Sequence, residues 1–551
     1  MVGGPLRVRW LGRVPYREGL ALQQSLFRHG HQQHLLLLEH PHVFTHGPRA
    51  DLGVNVLVDP ESVGAELVSV QRGGDVTYHG PGQLVGYPVV SVANSLGAHD
   101  HVATIQQLVV GALVELGLTD VGVLPEYPGV WVGVGTSRPR KICAIGVRLA
   151  HGRTMHGFAL NVSTDMRYLR DYIVPCGIAD KPVTSLAEEG VDVVMADVVD
   201  IVARRAAKLW GGGAVERQDV AWKVAPTDLA PFSRGEGPGL MGRALARLEA
   251  AGVADGLTLS ARKPEWLRPK VQLGTDVLAM KQHVRDHGLV TVCEEAGCPN
   301  LSECWASGTA TFMVLGERCT RACGFCLVDT RKPEPPASDE PQRVAAAVAQ
   351  SDLQHAVLTM VARDDLVDGG FAHVAECVAA IRQVRPDTRI ETLVSDAKGD
   401  DASLQLLFDA RPDVFNHNIE TVARLQRAVR PSAGYARSLS VLSRAKAAGL
   451  TVKSGLMVGL GETVDEVDGL LADLASIGVD IVTIGQYLRP TSHHLPVARW
   501  VVPAEFDRWA ALGESMGIGH VEASPLTRSS YHAKEAADAV TPVTLSMSPR
   551  S

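Results

Sequence analysis

Six of the chain's nine cysteines lie between Cys293 and Cys326, in the stretch CEEAGCPNLSECWASGTATFMVLGERCTRACGFC. They form two triads: Cys293, Cys298 and Cys304 at CX4CX5C spacing, and Cys319, Cys323 and Cys326 at CX3CX2C spacing. A structural zinc site takes four ligands and draws on paired CxxC elements, whereas three thiolates suit a four-iron cluster with one iron left uncovered. The plainer alternative is a pair of zinc knuckles or two ferredoxin-type electron-transfer clusters. Ferredoxin clusters bring four cysteines each, the last often followed by proline, and that pattern is absent. The loop CTRACGFC follows the apolar segment TFMVL, so a strand can deliver its three thiols to one end of a sheet.

A second set of chemical groups lies far upstream, in RGGDVTYHGPGQ (Arg72 to Gln83) and in YIVPCGI around Cys176. Pro175 and Gly177 flank the thiol, which puts it on a turn, where it can attack an electrophile. A lone cysteine is otherwise a small apolar residue, and Cys143 in KICAIGV and Cys377 in AHVAECVAAI read that way. In the upstream segment the glycines allow a ligand to approach the backbone, while Arg and His can meet its polar groups. Taken alone, that segment reads as a loop.

The CX3CX2C spacing resembles the radical S-adenosylmethionine (SAM) enzymes, in which the uncovered iron chelates the amino and carboxylate groups of SAM. An electron from the cluster then cleaves SAM to a 5'-deoxyadenosyl radical. CEEAGCPNLSECW directly before that loop resembles lipoyl synthase, whose auxiliary cluster supplies sulfur. RKPEWLR, VARDDLVDGG, HNIETV, SGLMVGLGET, IGQYLRPT and RSSYHA extend the resemblance from about Lys263 to Ala533. The resemblance implies two 4Fe-4S clusters. Cys319, Cys323 and Cys326 would hold the one that binds SAM. Cys293, Cys298 and Cys304, with Ser530 (the second serine of RSSY), would hold the auxiliary one. A hydroxyl is a harder ligand than a thiolate and can be displaced during turnover.

The segments around Cys176 resemble the octanoyl transferases of lipoate biosynthesis, a family that works through a Lys and Cys pair. The matching residues are Lys141 in SRPRKICAIGVR and Cys176. A nearby ammonium favours thiolate over thiol, and an amine that has lost its proton can act as base; both roles stay open for Lys141. The same resemblance implies an acyl and substrate pocket of Arg72, Gly73, Gly74, Asp75, Val76, Thr77, Tyr78 and His79, completed by Ala144, Ile145 and Gly146 and by Gly157, Phe158 and Ala159. ATP-dependent lipoate or biotin ligases share that fold and a related RGG-containing turn, but they activate the acid as an adenylate and need no nucleophilic cysteine. The chain has Cys176 and lacks a GRGRxxR-type adenylate loop.

Together the resemblances imply a bifunctional lipoate assembly enzyme. Octanoate would pass from octanoyl-acyl carrier protein to Cys176, then to a lysine of a lipoyl carrier domain, and sulfur would then enter at C6 and C8. The partners implied are octanoyl-acyl carrier protein, lipoyl carrier domains of 2-oxoacid dehydrogenase complexes and glycine cleavage H protein, and an electron donor. An alternative of a different class is a ligase-like acyl-binding module fused to a non-catalytic iron-sulfur electron carrier.

These groups need two scaffolds. At 551 residues the chain has length for three or four domains, and its net charge of -8 argues against nucleic acid or a membrane surface as the main partner. A local basic patch for an acidic protein can hide in that total. No apolar run reaches membrane-spanning length, and Met1 to Trp10 lacks a signal-type apolar core, so a cytoplasmic location is expected, where cysteines stay reduced. HLLLLEH, LVGYPVVSV, KICAIGVRL and HGFALNV read as strands, and Tyr16 to His29, Val102 to Leu116 and Val193 to Trp210 as helices. This is a mixed α/β domain, of the biotin/lipoate protein ligase type by resemblance, at residues 1–212. Residues 213–239, rich in Gly and Pro, read as a linker. From 240 to 551, strands such as HAVLTM, TRIETLV, DVFNHN, TVKSGLMVGL and DIVTIGQYL alternate with helices. That pattern predicts a parallel sheet, closed into a full or partial (β/α) barrel of the radical SAM type.

Overall fold

The computed structural model describes residues 4–93, 97–177, 181–222, 240–253, 256, 262–268, 282, 289–291, 300–306 and 308–540. The chain divides into two units, Met1–Trp222 and Lys223–Ser551.

In the first unit the strands are β1 (Leu6–Arg13), β2 (His34–Glu39), β3 (Val43–His46), β4 (Glu66–Ser69), β5 (Thr77–His79), β6 (Gln83–Val89), β7 (Val121–Leu124), β8 (Tyr127–Val132), β9 (Arg140–Ala150), β10 (Arg153–Asn161) and β11 (Val215–Asp219). Eight of them form one sheet in the order β11-β1-β2-β6-β10-β9-β8-β7, and β4-β3-β5 form a second. Helix Tyr16–His29 carries its buried residues Leu22 and Leu26 on one face, and helix Met195–Trp210 buries Val198, Val199, Val202, Ala203, Ala206 and Ala207. The expected helix Val102 to Leu116 runs from Ala98 to Glu115.

One turn does much of the positioning. Ala150 pairs with Arg153 across a two-residue hairpin whose central residues, His151 and Gly152, have φ of 51° and 71°. Two successive left-handed residues are the signature of a type I′ turn, whose twist matches that of the strands it joins. That turn fixes the β9–β10 register, and the register sets Ala144 opposite Ala159, Ile145 opposite Phe158 and Gly146 opposite Gly157. Two segments separate in sequence thereby become one patch.

The linker expectation needs correcting at its start. Residues 215–219 form β11, paired in parallel with the edge of β1 from Leu6↔Val215 to Trp10↔Asp219. Trp222 stacks on Trp10 at 4.3 Å between ring centroids. The strand VERQD has no apolar run because it lies at the sheet's edge, and its partner lies some two hundred residues away.

In the second unit β12 (Val290–Thr291) runs antiparallel to β13 (Thr309–Val314). Thereafter β14 (His355–Met360), β15 (Arg389–Leu393), β16 (Val414–Asn416), β17 (Thr451–Val458), β18 (Ile481–Gln486) and β19 (His520–Ser524) add in parallel, in sequence order. Helices Glu340–Gln350, Phe371–Val384, Asp401–Asp409, Tyr435–Ala447, Val464–Ser476, Pro503–Ser515 and Ala533–Val540 follow the successive parallel strands. Among the described residues no pairing joins the two ends of this sheet, so the architecture is that of a partial barrel. Among them, too, no helix is long and apolar enough to cross a membrane.

The middle of this sheet buries charge. Lys453 Nζ on β17 lies 3.0 Å from Glu391 Oε2 on β15, both side chains fully buried, and Asn416 Nδ2 on β16 donates to Glu391 Oε1 at 2.8 Å. Burial pushes the Glu391 carboxyl up, but Lys453, His355 and Asn416 outweigh it and hold it below the ordinary range. The wild-type pair therefore stabilises fully above the carboxylate's unfolded pKa, and its contribution fades as pH falls through the lower folded value. Lys453→Met strands a buried carboxylate and should cost about 3–5 kcal/mol near neutral pH. Burial then dominates Glu391, so protonation relieves the variant as pH falls. Calorimetry at about pH 7 and about pH 5 should show the deficit narrowing in acid; an equal deficit at both would mean that lost packing, not charge, is responsible.

Candidate functional site

The β9–β10 patch floors a cavity of about 270 Å3 in the first unit. Ala144, Ile145, Gly146, Gly157, Phe158 and Ala159 line it together with Arg72, Gly73, Gly74, Thr77, His79 and Cys176. The RGG segment reaches β9 through Gly73 N, which donates to Val147 O at 3.3 Å. A Cβ at Gly157 would stand only 2.2 Å from Gly86 O, so close backbone approach demands glycine there, and one at Gly146 would stand a tight 3.1 Å from Gly73 O.

Three expected pocket residues turn elsewhere. Along β5 the side chains alternate: Thr77 and His79 face the cavity, whereas Val76 and Tyr78 enter the apolar cluster with Phe44, Met166, Leu169 and Ile173. Tyr78 is fully buried there, stacked on Tyr168 at 4.6 Å, and its hydroxyl meets His42 Nδ1 at 2.7 Å. Asp75 accepts from Asn55 Nδ2 at 2.9 Å and lies beside Gly177, supporting the cysteine turn from behind. In a contiguous motif, strand alternation sends adjacent residues to opposite faces.

Cys176 sits on the short turn Pro175–Gly177 with φ of 57°, half-buried, its N–H donated to Val76 O at 2.8 Å. Arg72 is close enough for the guanidinium and the thiol to interact electrostatically. Its Nη2 donates to Thr45 O at 2.7 Å and to Thr45 Oγ1 at 3.0 Å, which fixes its aim. Lys141 lies on β9 beneath, 5 % exposed, with Nζ 4.9 Å from the Trp131 ring centroid. It is not among the cavity-lining residues, and no hydrogen bond joins it to Cys176.

The sequence reading missed Tyr16, Tyr87, Glu126, Tyr127, Pro128 and His156, all on the cavity wall. His156 has φ of 60° and is fully buried; a polar residue interrupting the apolar run of β10 just before GFA was the available signal. Burial, then Arg72 and Arg148, pushes its pKa down to about 4. His79 is also held well below the usual range by burial and by His40. Both imidazoles are thus neutral near pH 7, leaving Arg72 as the permanent cation among the lining residues.

In the second unit the loop after β13 carries Cys319, Cys323 and Cys326, all half-buried. Its backbone is tied down at each thiol: Cys319 N to Asp329 O (2.8 Å), Gly324 N to Val429 O (2.9 Å), and His494 Nε2 to Cys326 O (2.9 Å). Buried Arg321, between the first two cysteines, grips Asp364 at 2.8 Å and Asp396 at 2.6 Å. The thiols therefore sit at the carboxyl ends of the parallel strands, where such sheets carry their chemistry.

Among the described residues no three His, Cys, Asp or Glu side chains are close enough to share one metal ion. Cluster thiolates each take a different iron, so they stand further apart than ligands of a single ion. Burial, then the Glu420 carboxylate and the Cys319 thiol, outweighs Arg430 and pushes Cys323 up to about 11. Burial and the two other thiols push Cys326 up to about 12. Three thiols on one clamped loop, of which burial keeps Cys323 and Cys326 from ionising on their own, are a donor set that iron would deprotonate, so the residues fit a cluster.

Cys293 and Cys298 lie outside the described residues. Cys304 is buried on helix Leu301–Ala306, and RSSY docks beside it: Asn300 Nδ2 donates to Leu526 O at 2.7 Å, and Tyr531 Oη donates to Glu303 at 3.2 Å. Half-buried Ser530 thus belongs to the segment packed against the Cys304 helix. Its neighbour Ser529 accepts from Asn418 Nδ2 at 2.6 Å, and Arg430 Nη1 donates to Asn418 O at 2.8 Å. HNIETV and RSSY, separate in sequence, meet here.

Residues 15–207 match the family lipoyl protein ligase A/B catalytic domain, and residues 313–474 match the radical SAM superfamily. A lipoyl synthase of Rubrobacter xylanophilus is 53% identical over 275 residues, covering 50% of this chain and 86% of that protein. A lipoyl synthase of Chlorobaculum parvum is 50% identical, covering 50% of this chain and 94% of that protein. A solved structure of a bipartite lipoate protein ligase from Thermoplasma acidophilum is 21% identical, covering 42% of this chain and 91% of that one, with a TM-score of 0.33. The chain belongs to the lipoyl synthase family through its C-terminal half, and it joins to that half a lipoyl protein ligase A/B catalytic domain in one polypeptide.

Proposed function

We propose that the chain assembles lipoyl groups on carrier proteins in two stages. The first unit moves an octanoyl group from octanoyl-acyl carrier protein to Cys176 and then to a lysine of a lipoyl carrier domain, in 2-oxoacid dehydrogenase complexes or the glycine cleavage H protein. The second unit inserts sulfur at C6 and C8, drawing on SAM and an electron donor. The observation that carries this reading is a half-buried thiol on a strained turn, opening into a cavity floored by AIG and GFA, in a chain whose other half belongs to the lipoyl synthase family.

In the transfer, Cys176 Sγ attacks the thioester carbonyl and the carrier's thiol leaves with a proton. The lysine amine then attacks the new thioester, an amide forms, and the Cys176 thiol is released. Arg72 places a positive charge near the sulfur. The cavity wall excludes water from the acyl chain. In the second unit Cys319, Cys323 and Cys326 would hold one iron-sulfur cluster with SAM, and Cys293, Cys298, Cys304 and Ser530 a second. When bound, these groups supply hydrogen abstraction and sulfide. The chain's own part is to hold the cysteine loop rigid through Arg321 and to seat RSSY beside Cys304.

The test is mass spectrometry of an octanoyl-accepting carrier domain incubated with the iron-reconstituted protein. Octanoyl-carrier donor alone should add one octanoyl group, and SAM with reductant should convert it to lipoyl. Transfer that required ATP and free acid would support the ligase alternative instead.

Lys141→Ala should slow transfer by about 100-fold or more while leaving the circular dichroism unchanged. Lys141→Arg separates the roles: rescue means the residue acts by charge, and failure to rescue, with the acid limb of the pH profile lost, means it acts as base.

A further inference from the structure

The Cys176 turn has a second side. A second depression, of about 430 Å3, includes Pro175 of that turn, and apolar residues that include Leu169, Ile173 and Val183 line it together with Arg138, Arg170 and Lys181. Its lining residues include three cations and no acidic side chain, in a chain whose net charge is -8.

Two connections tie this groove to the thiol. Pro175, on the groove wall, is the residue before Cys176. Lys181 Nζ lies 5.6 Å from the ring centroid of Tyr127, which lines the acyl cavity. Anything anionic held in the groove would therefore stand next to the acyl entrance. Arg170 is held in place, with Nη1 donating to Glu188 Oε1 at 2.9 Å and Nη2 to Val183 O at 2.8 Å, while Arg138 is exposed at the rim.

We propose that this groove docks the acyl-donor carrier protein, an acidic protein whose acyl thioester hangs on a phosphate-linked arm, with the phosphate and the carrier's anionic face meeting Arg138, Arg170 and Lys181. The inference rests on the transfer reading above and names where the donor binds. The acceptor is the poorer fit, because it must present a lysine ammonium, which the cations lining the groove repel. Rim charges of this kind act on encounter rate and salt dependence more than on the chemical step.

The full-length protein is assayed for acylation of Cys176 with two donors: octanoyl-carrier protein, and the uncharged octanoyl thioester of N-acetylcysteamine. With Arg138→Glu or Lys181→Glu, KM for the carrier donor should rise about tenfold and its salt dependence should flatten, with Arg138→Lys close to wild type. The small thioester, which has no anionic arm, should react as in wild type and serves as the control for folding. An equal loss with both donors, an unchanged carrier KM, or a raised KM for the acceptor domain instead would overturn the assignment. If the wild-type protein formed no Cys176 thioester from either donor, the transfer reading would fail and the docking assignment with it.

Discussion

Replacing Cys176 with serine should reduce octanoyl transfer by about 10⁴-fold or more, the scale on which loss of a catalytic nucleophile acts, while sulfur insertion into a pre-octanoylated carrier continues. The substitution is nearly isosteric, and the turn's hydrogen bond from Cys176 N to Val76 O does not involve the side chain, so the protein should fold. What is lost is the low barrier to ionisation. A hydroxyl beside Arg72 is a far poorer nucleophile than a thiol at neutral pH. The other described thiol of that unit offers no substitute: Cys143 is fully buried and burial pushes it well above the ordinary thiol range. The residues proposed for sulfur insertion belong to the other unit, Lys223–Ser551, so they should not register the change. Thioester trapping followed by peptide mapping checks this, and an acyl group found on a different cysteine would sink the assignment.

The scaffold was legible in the sequence wherever periodicity was strong. Apolar runs such as HLLLLEH and TVKSGLMVGL became strands, and Tyr16 to His29 became a helix with the expected ends, because burial on one or both faces leaves a local record. β11 left none: VERQD earns its place through pairing with β1, a long-range event with no local signature. The cavity was half legible. Glycine motifs marked the backbone approaches at Gly146 and Gly157, yet a contiguous motif cannot show that Thr77 and His79 face the ligand while Tyr78 faces the core. Tyr16, Tyr87 and His156 come from three different elements, and only the fold gathers them. The placement of Lys141 against Trp131 likewise follows from the pairing of Trp131 with Lys141 across β8 and β9, which spacing alone does not reveal.

The two cysteine triads should fail in different ways. If each holds one four-iron cluster, the reconstituted protein carries about eight irons per chain. Replacing Cys319, Cys323 and Cys326 with alanine should halve the iron and end SAM cleavage, read as loss of 5'-deoxyadenosine. Replacing Cys293, Cys298 and Cys304 should also halve the iron, but SAM cleavage should persist while no sulfur reaches the octanoyl chain. The structure favours such a separation, because the described donors of the two sets sit on different elements. Cys319, Cys323 and Cys326 occupy a loop after β13 that is clamped by Arg321, whereas Cys304 lies on a helix before β13 that is braced by Tyr531. Removing one set leaves the other's supports in place. Ser530→Ala should act as a mild form of the second triple variant, with easier exchange of one iron and slower sulfur insertion. Its cost to the fold should be small, since Ser529, not Ser530, makes the hydrogen bond to Asn418. Lipoyl product from the Cys293, Cys298 and Cys304 variant would mean that the sulfur comes from elsewhere and that this triad is not its source.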